Sequence, residues 1–269
     1  MSLFDLTGRV AVVTGGYGVL GGSMADALGA AGARIVVLGR DHRAAETKAK
    51  ALQAAGIGAL GLGADVLDAP SLVRAREALL AEWGQVDILI NAAGGHIAEA
   101  RTDNAPAFEM KLPAYEDVVR LNLHGTVYPT LVFGEAMARR GKGSIVNVSS
   151  MAATLALSGV LGYSVAKAAV ESFTRWMAVD LARRFGDGLR VNAIAPGFFV
   201  AKQNRAALVQ DDGTPTERAR KILARTPMGR FGDPGELRGP ILWLCSDAAS
   251  FVTGAVIPVD GGFSADGGI

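Results

Sequence analysis

Arg9-Val10-Ala11-Val12-Val13-Thr14 runs straight into Gly15-Gly16-Tyr17-Gly18-Val19-Leu20-Gly21-Gly22, and the reading of that junction decides the fold. A short, continuous apolar run rich in β-branched residues suits a strand covered on both faces. The glycines behind it let the chain turn tightly and approach a ligand closely. Helical spacing then starts at Val19 and continues to Ala31. The unpaired N–H groups of a helix N-terminus therefore face the turn, where an anionic pyrophosphate is favoured. A glycine-rich turn by itself is a structural bend. Set between a first strand and a first helix, it reads as a dinucleotide site, with Thr14, Gly15, Gly16, Tyr17, Gly18, Val19, Leu20 and Gly21 as candidate contacts.

Further short apolar runs follow at Arg34–Gly39, Ala59–Ala64, Val86–Asn91, Ser144–Ser149, Leu189–Ile194 and Ala255–Val259, most of them separated by helically spaced segments such as Tyr163–Phe185. Apolar strands alternating with helices predict one doubly wound α/β domain over residues 1–269, with a seven-stranded, mainly parallel sheet and ligands at the carboxyl ends of its strands. Two stretches break the rhythm, Gly94–Pro113 and Phe198 to about Arg230. Both follow strands at the ligand end, where substrate-handling loops belong. The second strand ends Val37-Leu38-Gly39-Arg40. An acid there would hold the adenosine ribose hydroxyls of NAD, whereas an arginine accommodates the 2′-phosphate of NADP. Gly39 and Arg40 thus favour NADP(H); the neighbouring Asp41 keeps NAD(H) open.

Half of the 269 residues are hydrophobic, only 6% are aromatic and 35 are glycine, which suits close helix-on-sheet packing around a substantial core. A net charge of +1 argues against a nucleic-acid or anionic-membrane partner. No uninterrupted apolar stretch reaches the roughly 18 residues of a membrane span, and no basic region leads into an apolar one at the N-terminus. The single cysteine, Cys245, cannot form an internal disulfide, so a reducing, cytoplasmic setting is expected. It lies in the apolar run Ile241–Cys245 and reads as a buried small hydrophobe. His42, His96 and His124 are scattered, without the spacing of a metal site.

Tyr163 and Lys167 stand four residues apart, and Ser150 lies thirteen before Tyr163. Residues four apart share one helix face. A lysine ammonium there would pull the tyrosine below its ordinary value of about 10, toward use as an acid/base near neutral pH. A serine hydroxyl alongside could bond a substrate carbonyl or alcohol.

The glycine-rich loop, Asn91-Ala92-Ala93-Gly94, Asn122, Ser150, Tyr163, Lys167 and Pro196-Gly197 occur in this order. Over essentially its full length the chain thereby resembles the short-chain dehydrogenase/reductase family. The resemblance implies a Rossmann-type fold and an NAD(P)-dependent oxidoreductase that interconverts a carbonyl and a secondary alcohol. It implies that Tyr163 is the acid/base, that Ser150 polarises the reacting oxygen, and that Lys167 lowers the tyrosine pKa and binds the nicotinamide ribose. Asn122 would hold a proton-relay water near that lysine. Asp65, with Val66, would lie beside the adenine; Asn91, Ala92, Ala93 and Gly94 would close the cofactor pocket; Pro196, Gly197, Phe198 and Phe199 would flank the nicotinamide. Two departures stand out. Val19 replaces a glycine of the usual TGxxxGxG, giving TGxxGxxG through Thr14, Gly15, Gly18 and Gly21. Val200-Ala201-Lys202 lacks the threonine often found after Pro-Gly.

That glycine pattern, Gln203-Asn204-Arg205, Thr226–Gly232 and the tail Pro258–Ser264 resemble a narrower group within that family, the D-mannonate oxidoreductases or fructuronate reductases. A sugar acid calls for a cationic anchor, and Lys202, Gln203, Asn204 and Arg205 are the candidates, Arg205 or Lys202 foremost, with His96 a further one. The alternatives are a 3-oxoacyl-thioester (acyl carrier protein) reductase, a broad carbonyl reductase, and a non-catalytic dinucleotide sensor. The wide apolar face of the Tyr163–Phe185 helix, with Val170, Phe173, Trp176, Met177 and Val179, and the family resemblance together imply a homotetramer or homodimer.

Overall fold

Val10–Thr14 forms β1, the strand at the centre of the switch in sheet order. It pairs in parallel with β2 (Arg34–Gly39) on one side and with β4 (Ile88–Asn91) on the other, so that Thr14 lies between Leu38 and Asn91. With β3 (Ala59–Gly63), β5 (Gly143–Val148), β6 (Leu189–Pro196) and β7 (Val256–Val259), the order is β3-β2-β1-β4-β5-β6-β7, parallel throughout. The computed structural model describes residues 2–102, 105–201 and 204–267; Lys202 and Gln203 lie outside them.

The sheet is Rossmann-type because alternate residues of each central strand meet different helices. Ala11 and Val13 face one core with α1 (Val19–Ala30), α2 (His42–Ala54) and α9 (Arg238–Cys245). Val10 and Val12 face another with α3 (Ala69–Trp83), α5 (Gly125–Arg140) and α6 (Leu161–Phe185). A strand buried on both sides has no use for a polar face, which is why these strands read as unbroken apolar runs. β4 begins two residues later than its apolar run suggests. Asp87, just before it, uses its carboxylate to accept from Val10 N–H at 2.8 Å and from Arg140 at 2.7 Å, while its own N–H donates to the Val10 carbonyl at 2.9 Å. β6 runs on to Pro196 because β7 pairs with it as far as Val259.

Three features position the site. The crevice over β1 and β4 lies where the connections diverge to opposite sides of the sheet, the place where open α/β sheets bind ligands. α4 (Leu112–Val119) continues into α5 through a π-helical turn at Arg120–His124. The second irregular stretch contains two helices its sequence rhythm does not announce, α7 (Arg205–Leu208) and α8 (Glu217–Ala224). Thr216 starts α8 by accepting from Ala219 N–H, an N-cap. Ala219 and Ile222 of α8 then cover Met151, Leu208 and Phe263 in a small core of their own.

Candidate active site

The glycine-rich turn is built by steric necessity. Gly15 has φ +64°, and a Cβ there would press on Ala93. A Cβ on Gly21 would collide with the Gly15 carbonyl, and one on Gly16 with the Val13 carbonyl. Gly18, by contrast, has an ordinary φ of −74°, and Val19 opens α1 partly exposed at the cleft. The valine departure from the common pattern therefore leaves the turn intact. Thr14 is fully buried, and its hydroxyl accepts from Ala92 N–H and Ala93 N–H at 3.1 Å each, tying the turn to the segment after β4. The result is an open cleft bordered by Gly15, Tyr17, Val19, Arg40, Val66 and Gly94 and reaching Tyr163 and Lys167. Its bare backbone and helix N-terminus fit a dinucleotide.

At the end of β2 the ring of Tyr17 lies over Gly39, so closely that any Cβ there would collide with it. Asp41 N–H donates to the Tyr17 hydroxyl at 3.4 Å, and the Asp41 carboxylate caps α2 by accepting from Ala44 N–H at 3.0 Å. A side chain at position 39 would have to displace that ring, and the nearby acid is engaged as a cap, while Arg40 borders the cleft. Two expected contacts stand apart. The Asp65 carboxylate accepts from Leu67 N–H at 2.9 Å, within its own turn, and Ala64 and Val66 border the cleft instead. Asn91 is buried beneath it, donating to Thr130 at 2.8 Å and to Asn147 at 2.9 Å. Asn147 in turn donates to Thr174 at 2.9 Å, so a polar network braces β4 and β5 against α5 and α6 below the site.

Ser150, Tyr163 and Lys167 do meet, while Asn122 lies behind the Gly94–Gly95 segment that separates it from Lys167. Ser150 follows β5; its hydroxyl accepts from Ala152 N–H at 3.2 Å and hydrogen-bonds the Tyr163 side chain. Tyr163 lies in the first turn of α6, with His96 against its ring at 4.2 Å between centroids. Lys167 is 4% exposed; its ammonium donates to the Val148 carbonyl at 2.7 Å and lies 5.5 Å from the Tyr163 ring centre. Burial sets the protonation of both. It raises the Tyr163 pKa above its ordinary value, only partly offset by the Ser150 hydrogen bond, and brings Lys167 down to about 8. Lys167 is not among the groups that set this shift, which runs opposite to the expected lowering of the tyrosine pKa. Desolvation disfavours the phenolate more than the neighbouring groups favour it.

Asn122 is fully buried in the π-helical turn, a distortion that tends to mark functional sites. Its amide donates to the Gly95 carbonyl at 2.9 Å and the Val118 carbonyl at 2.8 Å, and accepts from Gly95 N–H at 3.0 Å. The side chain is a clamp on the Gly94–Gly95 segment. A Cβ on Gly94, at φ +154°, would strike Asn122 Oδ1 and come close to Lys167 Nζ.

A second cavity opens from the same tyrosine. It is bordered by Ser150, Tyr163 and His96, and by Pro196, Gly197, Phe198 and Phe199. The Pro-Gly segment borders this cavity, which adjoins the dinucleotide cleft through the shared residues Leu20, His96, Val148, Tyr163 and Ala201. Asn204 borders it as well, but its side chain ties the loop, accepting from Ala201 N–H at 2.7 Å and donating to the Phe199 carbonyl at 2.8 Å. Arg205 is exposed at the start of α7 and borders neither cavity. The cations that do border it are Arg101 and Arg218.

A family model described as enoyl-(acyl carrier protein) reductase matches residues 18–264. The uncharacterized oxidoreductase UxuB of Bacillus subtilis (strain 168) is 44% identical over 275 residues, 98% of each chain. The chain is a short-chain dehydrogenase/reductase. Among relatives of stated activity, gluconate 5-dehydrogenase of Gluconobacter oxydans (strain 621H) is 33% identical over 97% of each chain. A solved structure from Haemophilus influenza, provisionally assigned as a D-mannonate oxidoreductase and holding NAD, superposes with a TM-score of 0.92 at 40% identity over 98% of each chain. A gluconate 5-dehydrogenase from Burkholderia cenocepacia J2315, in complex with NADP and tartrate, superposes at 0.89 with 32% identity over 98% of each chain.

This dehydrogenase is accordingly an NAD(P)-dependent oxidoreductase. Among its described residues, no helix is long and apolar enough to cross a membrane, and no cluster of acidic, histidine or cysteine side chains could hold a metal. Cys245 is buried and its thiol pushed up to about 12 by desolvation, which makes it chemically quiet. Sequence reading missed Arg101 and Arg218 for different reasons. Arg101 follows a short 3-10 turn with no periodic signal, while Arg218 lies on α8, whose Thr216 N-cap was the available clue.

Proposed function

We propose that this dehydrogenase interconverts a keto sugar acid and the corresponding hydroxy acid, D-fructuronate and D-mannonate by preference, with NADP(H) favoured over NAD(H). The observation that carries this reading is one cavity bordered by Ser150 and Tyr163 and also by Arg101 and Arg218, with no carboxylate among the described residues lining it. A cationic lining suits a substrate that carries a carboxylate. Relatives named for sugar acids, gluconate 5-dehydrogenase and 2-dehydro-3-deoxy-D-gluconate 5-dehydrogenase, support the same substrate class. For the cofactor, support comes from Arg40 at the cleft, Tyr17 over Gly39, and Asp41 engaged as a cap.

The chemistry that the nicotinamide supplies when bound is hydride exchange at the reacting carbon. In reduction Tyr163 gives its proton to the carbonyl oxygen, and its raised pKa keeps that proton in place at neutral pH. Ser150 holds the same oxygen as charge develops on it. Lys167, titrating at about 8, exchanges protons near neutrality and returns one toward Tyr163. A relay water at Asn122 would share the main-chain carbonyl with the Thr126 hydroxyl, which donates to it at 3.0 Å, because the amide is committed to Gly95 and Val118. We further infer a homodimer or homotetramer, on the strength of Val165, Trp176 and Val179, which stand exposed on α6.

The test is oxidation of NADPH and of NADH, followed with D-fructuronate, tagaturonate, an acetoacetyl thioester and a neutral ketone. Strong preference for fructuronate with NADPH is expected. Preference for the thioester would replace the sugar-acid reading with that of an acyl-thioester reductase. Turnover spread evenly over the panel would leave only the family-level activity.

A further inference from the structure

We propose that Arg101 and Arg218 form a two-sided anchor for the substrate carboxylate, one arginine from each irregular stretch. The inference rests on the sugar-acid reading above and names the residues that enforce it. Arg101 comes from the segment after β4, just beyond the 3-10 turn Ala98–Ala100. Arg218 is the second residue of α8, and its guanidinium donates to the Ser158 carbonyl at 3.4 Å. Both border the cavity that Ser150 and Tyr163 border, and both also border the wider cleft beside it, so they stand where the two spaces meet. The inner cavity is about 140 Å³, close to that of a site that takes a benzene-sized molecule. A six-carbon acid therefore sets its carbonyl at Tyr163 with its far end toward the junction.

Charge makes the junction selective. Among the described residues lining the inner cavity the ionisable side chains are Arg101, Arg218, His96, Tyr163, and no acid. In the adjoining cleft the acid is Glu217, paired with Lys221 at 2.7 Å, and Arg225 adds a further cation. Each of the two arginines also has partners within the protein. A guanidinium carries five N–H donors, of which a carboxylate engages two. An arginine fork matches a carboxylate in two parallel hydrogen bonds, which a lysine cannot reproduce. Because one arginine comes from each stretch, a bound acid joins segments that are far apart in sequence. A neutral sugar lacks that link.

The experiment uses the full-length enzyme saturated with NADPH and measures tartrate binding by calorimetry, together with kcat and KM for D-fructuronate. Arg101→Met and Arg218→Met should each weaken tartrate binding and raise KM by about 10- to 100-fold, the loss of a charge-assisted contact. The NADPH dissociation constant and kcat should stay within about twofold. Arg101→Lys and Arg218→Lys keep the charge and the stem, and carry the test if a methionine variant fails to fold; a loss of about 3- to 10-fold is expected. Arg205→Met should leave every value within about twofold. Tartrate binding unchanged in the arginine variants, a wild-type enzyme that binds no tartrate, or an equal loss in Arg205→Met would overturn the anchor. A wild type that rejects fructuronate yet binds tartrate through these arginines would retire the fructuronate assignment and leave the anchor standing.

Discussion

Tyr163 and Lys167 share one desolvated pocket, and burial moves both toward their neutral forms. Tyr163→Phe removes the transferable proton and little volume, so turnover should fall by about 10²- to 10⁴-fold while NADPH titration remains as in wild type. Retained turnover would remove Tyr163 from the acid/base role. Lys167 carries a second prediction, for stability. Its pKa is about 8 folded against 10.5 for the free group, so between those values the unfolded protein binds more protons and stability rises with pH. Below about pH 8 the cost of the buried ammonium is fully present. The whole difference is about 3 kcal/mol. Tyr163, raised above its ordinary value, works the other way once pH passes about 10. Urea midpoints of the wild type should therefore climb relative to Lys167→Met between pH 8 and 10. Parallel curves for the two proteins would mean that the buried lysine is not the source.

The π-helical turn at Arg120–His124 is the element that ties the dinucleotide cleft to the helix beside it. The extra residue in that turn swings Asn122 inward, where its amide meets Gly95 and Val118. Asn122→Leu would leave two carbonyls and one N–H buried without these partners. The expected cost is about 2–4 kcal/mol in urea unfolding, with NADPH affinity down at least about 10-fold because Gly94 and Gly95 lose their clamp. Full NADPH affinity in a destabilised variant would show that the segment is held by Thr14 alone. The sequence offered Asn122 as a polar residue of the site, but its part as a clamp required a helical irregularity that no periodicity displays.

At the scale of the whole molecule, α6 buries Val170, Met177 and Ala178 against the fold and leaves Trp176 64% exposed and Val179 51% exposed. Trp176→Glu with Val179→Glu should leave the sheet and its circular dichroism unchanged and reduce the mass found by light scattering. A wild type that is already monomeric would reject the assembly inferred for α6. The seven strands themselves were legible because strands covered on both faces need apolar residues at every position. The two irregular stretches were not, because their helices are short and their cores are local, as with Leu208, Ala219 and Ile222.

The sequence by itself determined the strand, glycine turn and helix order at Arg9–Gly22, the parallel sheet, and the residue types Ser150, Tyr163 and Lys167, because spacing and backbone chemistry are local properties. Tertiary structure decided which polar groups remain available to a ligand. It committed Asp41 to a helix cap, Asp65 to its own turn and Asn122 to Gly95, and it raised the Tyr163 pKa by burial. It also left Arg205 outside and brought Arg101 and Arg218, 117 positions apart, to one cavity. Hydrogen-bond commitment and desolvation depend on neighbours distant in the sequence, and those neighbours exist only once the protein has folded.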